Sequence, residues 1–132
     1  MNTLLRKIEA CMSSFASDGH GDISANFSFP ADFAGFQGHF PGNPVLPAVC
    51  ILQAIMLMAG KHAGTKVELK TISSAKWFAP TGTDSTLRFT LNITPTGTGD
   101  ATIKARISHG TNKIADVKLL VNGIVAREGR QP

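Results

Sequence analysis

His39 and Gln53 are the two side chains whose type and setting point to chemistry in this sequence. They fall in GHFPGNPVLPAVCILQA, residues 38–54, where a loop stiffened by Pro41, Pro44 and Pro47 runs directly into an apolar stretch. An imidazole near its neutral form at pH 7 can take up a proton, so His39 is a candidate general base. A carboxamide cannot act as an acid, but it can hold a hydroxyl or a water. Between Ala48 and Gly60 every side chain other than Gln53 is apolar or a thiol. A buried amide left unpaired costs about 1–3 kcal/mol, so Gln53 needs a partner. That partner is a backbone group, the same residue of a second subunit, or a substrate hydroxyl or water. Pro47 suits the first helical position, and the N–H groups that follow, those of Ala48 and Val49, lack intrahelical acceptors. They lie at the positive end of the helix dipole and leave donors aimed outward. His20, His62 and His109 have no comparable setting and read as surface residues. No spacing of His, Cys and carboxylates argues for a metal, and no glycine-rich turn has the spacing of a nucleotide-binding loop; no cofactor is expected.

The elements that must position these groups follow from periodicity. The apolar run from Ala48 to about residue 62 predicts a helix that is apolar nearly all round. Leu4, Leu5, Ile8, Cys11, Met12 and Phe15 recur at helical spacing opposite Arg6, Lys7 and Glu9, which predicts an amphipathic helix over residues 2–15. Ile23, Ala25, Phe27 and Phe29 alternate with polar residues up to Pro30 and form a half-buried strand. After the second helix only strands follow: one beginning at Val67 and Leu69, then Leu87 to Ile93, Ala101 to Ile107 and Val117 to Val121, each with one wet face. Turn signals at Thr81-Gly82, Pro95 to Gly99 and His109-Gly110 are short, so the strands should be largely antiparallel. An antiparallel sheet with one apolar face needs a cover, and an all-round apolar helix needs enclosure. About 15 residues make roughly 22 Å of helix, close to the ~20 Å of a six-residue strand. The expectation is an α+β fold in which a curved antiparallel sheet wraps a long central helix.

Phe36 to Ala59, FQGHFPGNPVLPAVCILQAIMLMA, resembles the signature of the 3-hydroxyacyl-(acyl-carrier-protein) dehydratases of the FabA and FabZ type. Ala75 to Leu87, AKWFAPTGTDSTL, is weakly similar to the strand and turn that follow in that family, while the N-terminal part is shorter than usual there. The resemblance implies the hot-dog fold, a long central helix wrapped by an antiparallel sheet. It also implies a two-fold dimer in which the loop histidine of one subunit faces a carboxylate on the central helix of the other. By position the histidine is His39, which removes a proton alpha to the thioester; the carboxylate that helps the β-hydroxyl leave is replaced by Gln53. The glycine whose N–H binds the thioester oxygen is replaced by Ala48, and the added methyl restricts close approach. Phe40, Pro47, Ala48 and Val49 are the substrate-binding residues so implied. The implied substrate is a 3-hydroxyacyl thioester on an acyl carrier protein or coenzyme A, dehydrated to a trans-2-enoyl thioester. With Gln53 in place, two alternatives stand: a non-catalytic acyl-binding or partner subunit, and a thioesterase on the same fold.

Length and composition bound these readings. With 132 residues, 42% hydrophobic and 17% charged, the chain is expected to be a single globular domain over residues 1–132. A net charge of +4 is scattered without a basic run, and aromatic residues are only 7% and do not interleave with basic ones, which argues against nucleic acid. The longest apolar stretch falls short of the roughly 20 residues that span a bilayer, and Arg6, Lys7 and Glu9 break any export signal. Cys11 and Cys50, both in apolar patterns, are expected to be free thiols, and the setting a reducing cytoplasm.

Overall fold

The computed structural model describes residues 3–33, 36 and 46–123. In chain order these form α1 (Thr3–Ala10), β1 (Met12–Ser17), β2 (Asp22–Phe29), α2 (Ala48–Ala63), β3 (Glu68–Trp77), β4 (Ser85–Pro95), β5 (Asp100–His109) and β6 (Asn112–Asn122). The strands make one six-stranded sheet in the order β1-β2-β4-β5-β6-β3, every pair antiparallel. Between β2 and β3 the chain passes through α2 from one side of the sheet to its far edge, so α2 crosses the sheet face. This is the hot-dog arrangement expected.

Period-two patterning decides the inner face. Ile23, Ala25, Phe27 and Phe29 on β2, Leu87, Phe89, Leu91 and Ile93 on β4, Ala101, Ile103, Ala105 and Ile107 on β5, and Val117, Leu119 and Val121 on β6 are all buried. Cross-strand partners such as Ala25 and Phe89, or Ile103 and Leu119, are in register, so the alternation of one strand meets that of the next. Against this face α2 buries Cys50, Ile51, Ala54, Ile55, Met58, Ala59 and Ala63. The helix ends where Gly64 takes φ 73°, and its N–H donates to the Gly60 carbonyl at 2.8 Å; a side chain at that φ would be strained.

Four expectations are corrected. The first helix stops at Ala10 rather than running to residue 15, and Met12–Ser17 is an edge strand paired with β2. The Cys11 carbonyl accepts from the Ser28 N–H at 3.0 Å, and a register shift near Ser14, at φ 56°, breaks the strand's regularity. Serines compete poorly for helix, while the open backbone of β2 offers a ladder to the same residues. The central helix is not enclosed all round: opposite its buried face, Leu52, Gln53, Met56 and Leu57 are half-buried and Val49 is 50% exposed. Nor does β3 have one wet face, because it is exposed along its whole length, with Leu69, Ile72 and Trp77 in the open. It lies at the sheet edge and pairs with β6. Finally, His62 is half-buried, its Nδ1 lying 3.4 Å from the Ser17 hydroxyl, while His20 and His109 are exposed as expected. Among the described residues no helix is long and apolar enough to cross a membrane.

Candidate functional site

The front of α2 is shaped by Pro47. Its φ of −65° and ψ of 146° make it the extended cap residue rather than the first helical residue, and no side chain caps the helix. The Cys50 N–H donates to the Pro47 carbonyl at 3.0 Å. The N–H groups of Ala48 and Val49 are therefore left without an acceptor among the described residues, as helix geometry requires of the first turn. Both residues are exposed, so these donors and the positive end of a 16-residue helix face outward.

Gln53 lies one turn beyond Val49 on the same side of the helix, between Val49, Met56 and Leu57. Its Oε1 is inaccessible to water and has no hydrogen-bond partner among the described residues. The expected need for a partner is thus unmet within the chain's described part. Of the residues expected at the site, Pro47, Ala48, Val49 and Gln53 gather at the front of α2. His39 and Phe40 lie outside the described residues.

The segment between β3 and β4 meets the helix front on the side of Ala48 and Ile51. The Phe78 N–H donates to the Ile114 carbonyl, the Leu46 N–H to the Thr81 carbonyl and the Asp84 N–H to the Phe29 carbonyl, each at 2.8 Å. The first ties the segment to β6, the third to the end of β2, and the second to the residue before Pro47. Beside the segment lies a cavity of about 370 Å³ whose lining includes Leu46, Ala48, Ile51, Trp77, Phe78 and Thr81 but neither Val49 nor Gln53. That volume lies within the range of small-molecule pockets. Trp77 and Phe78 are 45% and 49% exposed, and the Lys113 ammonium sits 5.0 Å from the Phe78 ring centre. Sequence reasoning singled out this segment only as a weak family likeness. The signal it carried was a tryptophan and a phenylalanine next to a turn, where neither alternation nor helical spacing accounts for them.

Cys11 and Cys50 are both free. Burial pushes the Cys50 thiol up, with the nearby Cys11 adding to the effect, and burial raises Cys11 as well. Neither is an activated nucleophile. A thiol reagent at neutral pH is expected to label Cys11 slowly and Cys50, 1% exposed, only after unfolding. Rapid labelling of both, followed by mass spectrometry of the peptides, would contradict this packing of the first turn of α2. Among the described residues no three His, Cys, Asp or Glu side chains cluster as metal ligands would.

A family model described as ApeI-like: ApeI dehydratase matches residues 16–117. Among curated proteins, the 3-hydroxyacyl-(acyl-carrier-protein) dehydratase FabZ of Lactiplantibacillus plantarum is 45% identical over 63 residues, 42% of this chain and 39% of that protein. The FabZ of Chloroflexus aggregans is 32% identical over 92 residues, 64% of each. The chain thus spans less than two thirds of the length of these relatives. Among solved structures, the dehydratase heterocomplex ApeI:P from Xenorhabdus doucetiae aligns with a TM-score of 0.71 at 17% identity, over 85% of this chain and 96% of that one. The E. coli PaaI protein from the phenylacetic acid degradation operon aligns at 0.66 and 12% identity, over 91% and 92%. At these identities the structural likeness is one of fold.

Proposed function

The chain belongs to the ApeI-like dehydratase family, and we propose that it acts on 3-hydroxyacyl thioesters at the front of α2. The observation that carries this reading is the Gln53 Oε1, unpartnered among the described residues and about one helical turn from two backbone donors that likewise have no acceptor there. An acceptor without a donor suits a hydroxyl, and donors without an acceptor suit a carbonyl; a 3-hydroxyacyl thioester carries both. In the proposed reaction His39 takes the proton alpha to the thioester. The N–H groups of Ala48 and Val49 receive the enolate oxygen. The Cβ–O bond then breaks, and the hydroxyl held by Gln53 leaves as water with a proton from solvent or from the imidazolium. Phe40 and Pro47 flank the substrate, which arrives on the phosphopantetheine of an acyl carrier protein or of coenzyme A.

The working unit in this reading is a pair of chains. Exposed apolar residues on an edge strand invite pairing, and β3 presents Leu69, Ile72 and Trp77 in this way. Ile72→Glu is expected to convert a dimer into a monomer in light scattering and to abolish turnover. A variant that stays dimeric would place the pairing surface elsewhere.

The glutamine at the position of the family's carboxylate favours one second reading: a partner subunit that binds acyl thioesters beside an active homologue. The Xenorhabdus doucetiae protein is itself part of a dehydratase heterocomplex. Purified protein given 3-hydroxyacyl and saturated acyl thioesters separates the possibilities. Formation of 2-enoyl thioester supports the dehydratase, binding without turnover the partner subunit, and release of free acid and thiol a thioesterase.

A further inference from the structure

Thr81 is a buried polar residue in an otherwise apolar wall. It is 5% exposed, and its Oγ1 has no hydrogen-bond partner among the described residues. Its backbone is pinned, since its carbonyl accepts the Leu46 N–H at 2.8 Å. In the position shown its Oγ1 is out of reach of water, and rotation about Cα–Cβ carries it among three staggered positions. Valine has nearly the same shape and would fill the space without stranding a hydroxyl away from water. The cavity that Thr81 lines also contains Ala48, whose N–H is open, and the walls Ile51, Trp77 and Phe78.

We propose that Thr81 is a ligand-binding residue of this cavity, its hydroxyl donating to the same carbonyl oxygen that the Ala48 N–H receives while the adjoining chain lies along Ile51, Trp77 and Phe78. The assignment rests on the acyl-thioester reading for the identity of the carbonyl. It adds a side-chain donor to the backbone N–H groups proposed to receive the carbonyl oxygen, and it places the aromatic pair as the wall against which the ligand packs. A hydroxyl reserved for a ligand leaves a distinct signature. Its removal relieves the free protein of an unpaired polar group and at the same time weakens the complex. A hydroxyl with a structural role does the reverse in the free protein.

The experiment compares wild type, Thr81→Val and Thr81→Ser by thermal denaturation without ligand and by calorimetric titration with a saturated acyl-pantetheine thioester, which cannot dehydrate. The matching alkyl thioether, lacking the carbonyl oxygen, is the second probe. Thr81→Val is expected to raise the denaturation midpoint and to weaken thioester binding about tenfold, the worth of one hydrogen bond. Thr81→Ser should bind the thioester as wild type does, and the thioether should bind wild type and Thr81→Val alike. A lowered midpoint in Thr81→Val, or equal thioester affinity in wild type and Thr81→Val, overturns the assignment and leaves the acyl-thioester reading standing. Failure of wild type to bind the thioester overturns that reading and the assignment with it.

Discussion

Gln53→Glu is expected to raise the rate of 2-enoyl thioester formation from a 3-hydroxyacyl thioester by about 10² to 10⁴, the range a positioned general acid contributes. Glutamate and glutamine have nearly the same shape, so the half-buried stripe of α2 can accept the change. Removal from water disfavours a charged carboxylate and lifts its pKa, which keeps the proton available to the leaving hydroxyl. The open donors of Ala48 and Val49 are untouched, and oxyanion binding and positioning persist alongside the new acid. Steady-state rates and a folding check by circular dichroism decide the matter. No gain in a folded Gln53→Glu protein argues against a dehydratase-like site and shifts the weight to the partner-subunit reading.

Phe27→Ala is expected to cost about 3–5 kcal/mol of folding free energy, a large share of the roughly 5–15 kcal/mol that holds a small protein together. Phe27 is fully buried, its ring 4.8 Å from the Phe89 ring centre and 6.0 Å from that of Phe29. It therefore ties β2 to β4 as well as filling the core beneath α2. Truncation leaves a cavity that the sheet cannot close, because neighbouring side chains are fixed by strand register. Phe78→Ala is the control: 49% exposed, it should cost far less. Urea denaturation of both variants gives the comparison, and a loss below about 1 kcal/mol for Phe27→Ala would be incompatible with such a core.

Much of this architecture was legible before any coordinates. Strands β2, β4, β5 and β6 follow the alternation of Ile23 to Phe29, Leu87 to Ile93, Ala101 to Ile107 and Val117 to Val121, and each expected inward residue is buried. The central helix, expected from Ala48 to about residue 62, runs to Ala63. Both succeed because the pattern is a local property repeated across several residues. The misjudged segments each offered two local solutions. Met12 to Ser17 carries apolar residues at spacings that suit a helix, yet its serines and the vacant side of β2 favour a strand. Leu69 looks like a core residue of a strand, and nothing in its immediate neighbours reveals that this strand lies at the outer edge.

The candidate site divides in the same way. Pro47, Ala48, Val49 and Gln53 could be named from one stretch of chain because a helix start places its donors and its next turn by backbone geometry alone. Thr81, Trp77 and Phe78 come beside Ala48 through the bonds from Leu46 to Thr81 and from Phe78 to Ile114 and the pairing of Trp77 with Ala115, which close over long intervals of chain. The sequence by itself determined α2, the strands β2, β4, β5 and β6 with their inward faces, and the front of α2, since each is dictated by residues a few positions apart. Only the tertiary structure decided which strand is left at the edge, which stripe of the helix stays uncovered and which polar atoms are buried without partners. Those outcomes depend on the path of the whole chain, where a hydrogen bond or a packed face is settled by residues that sequence distance keeps apart.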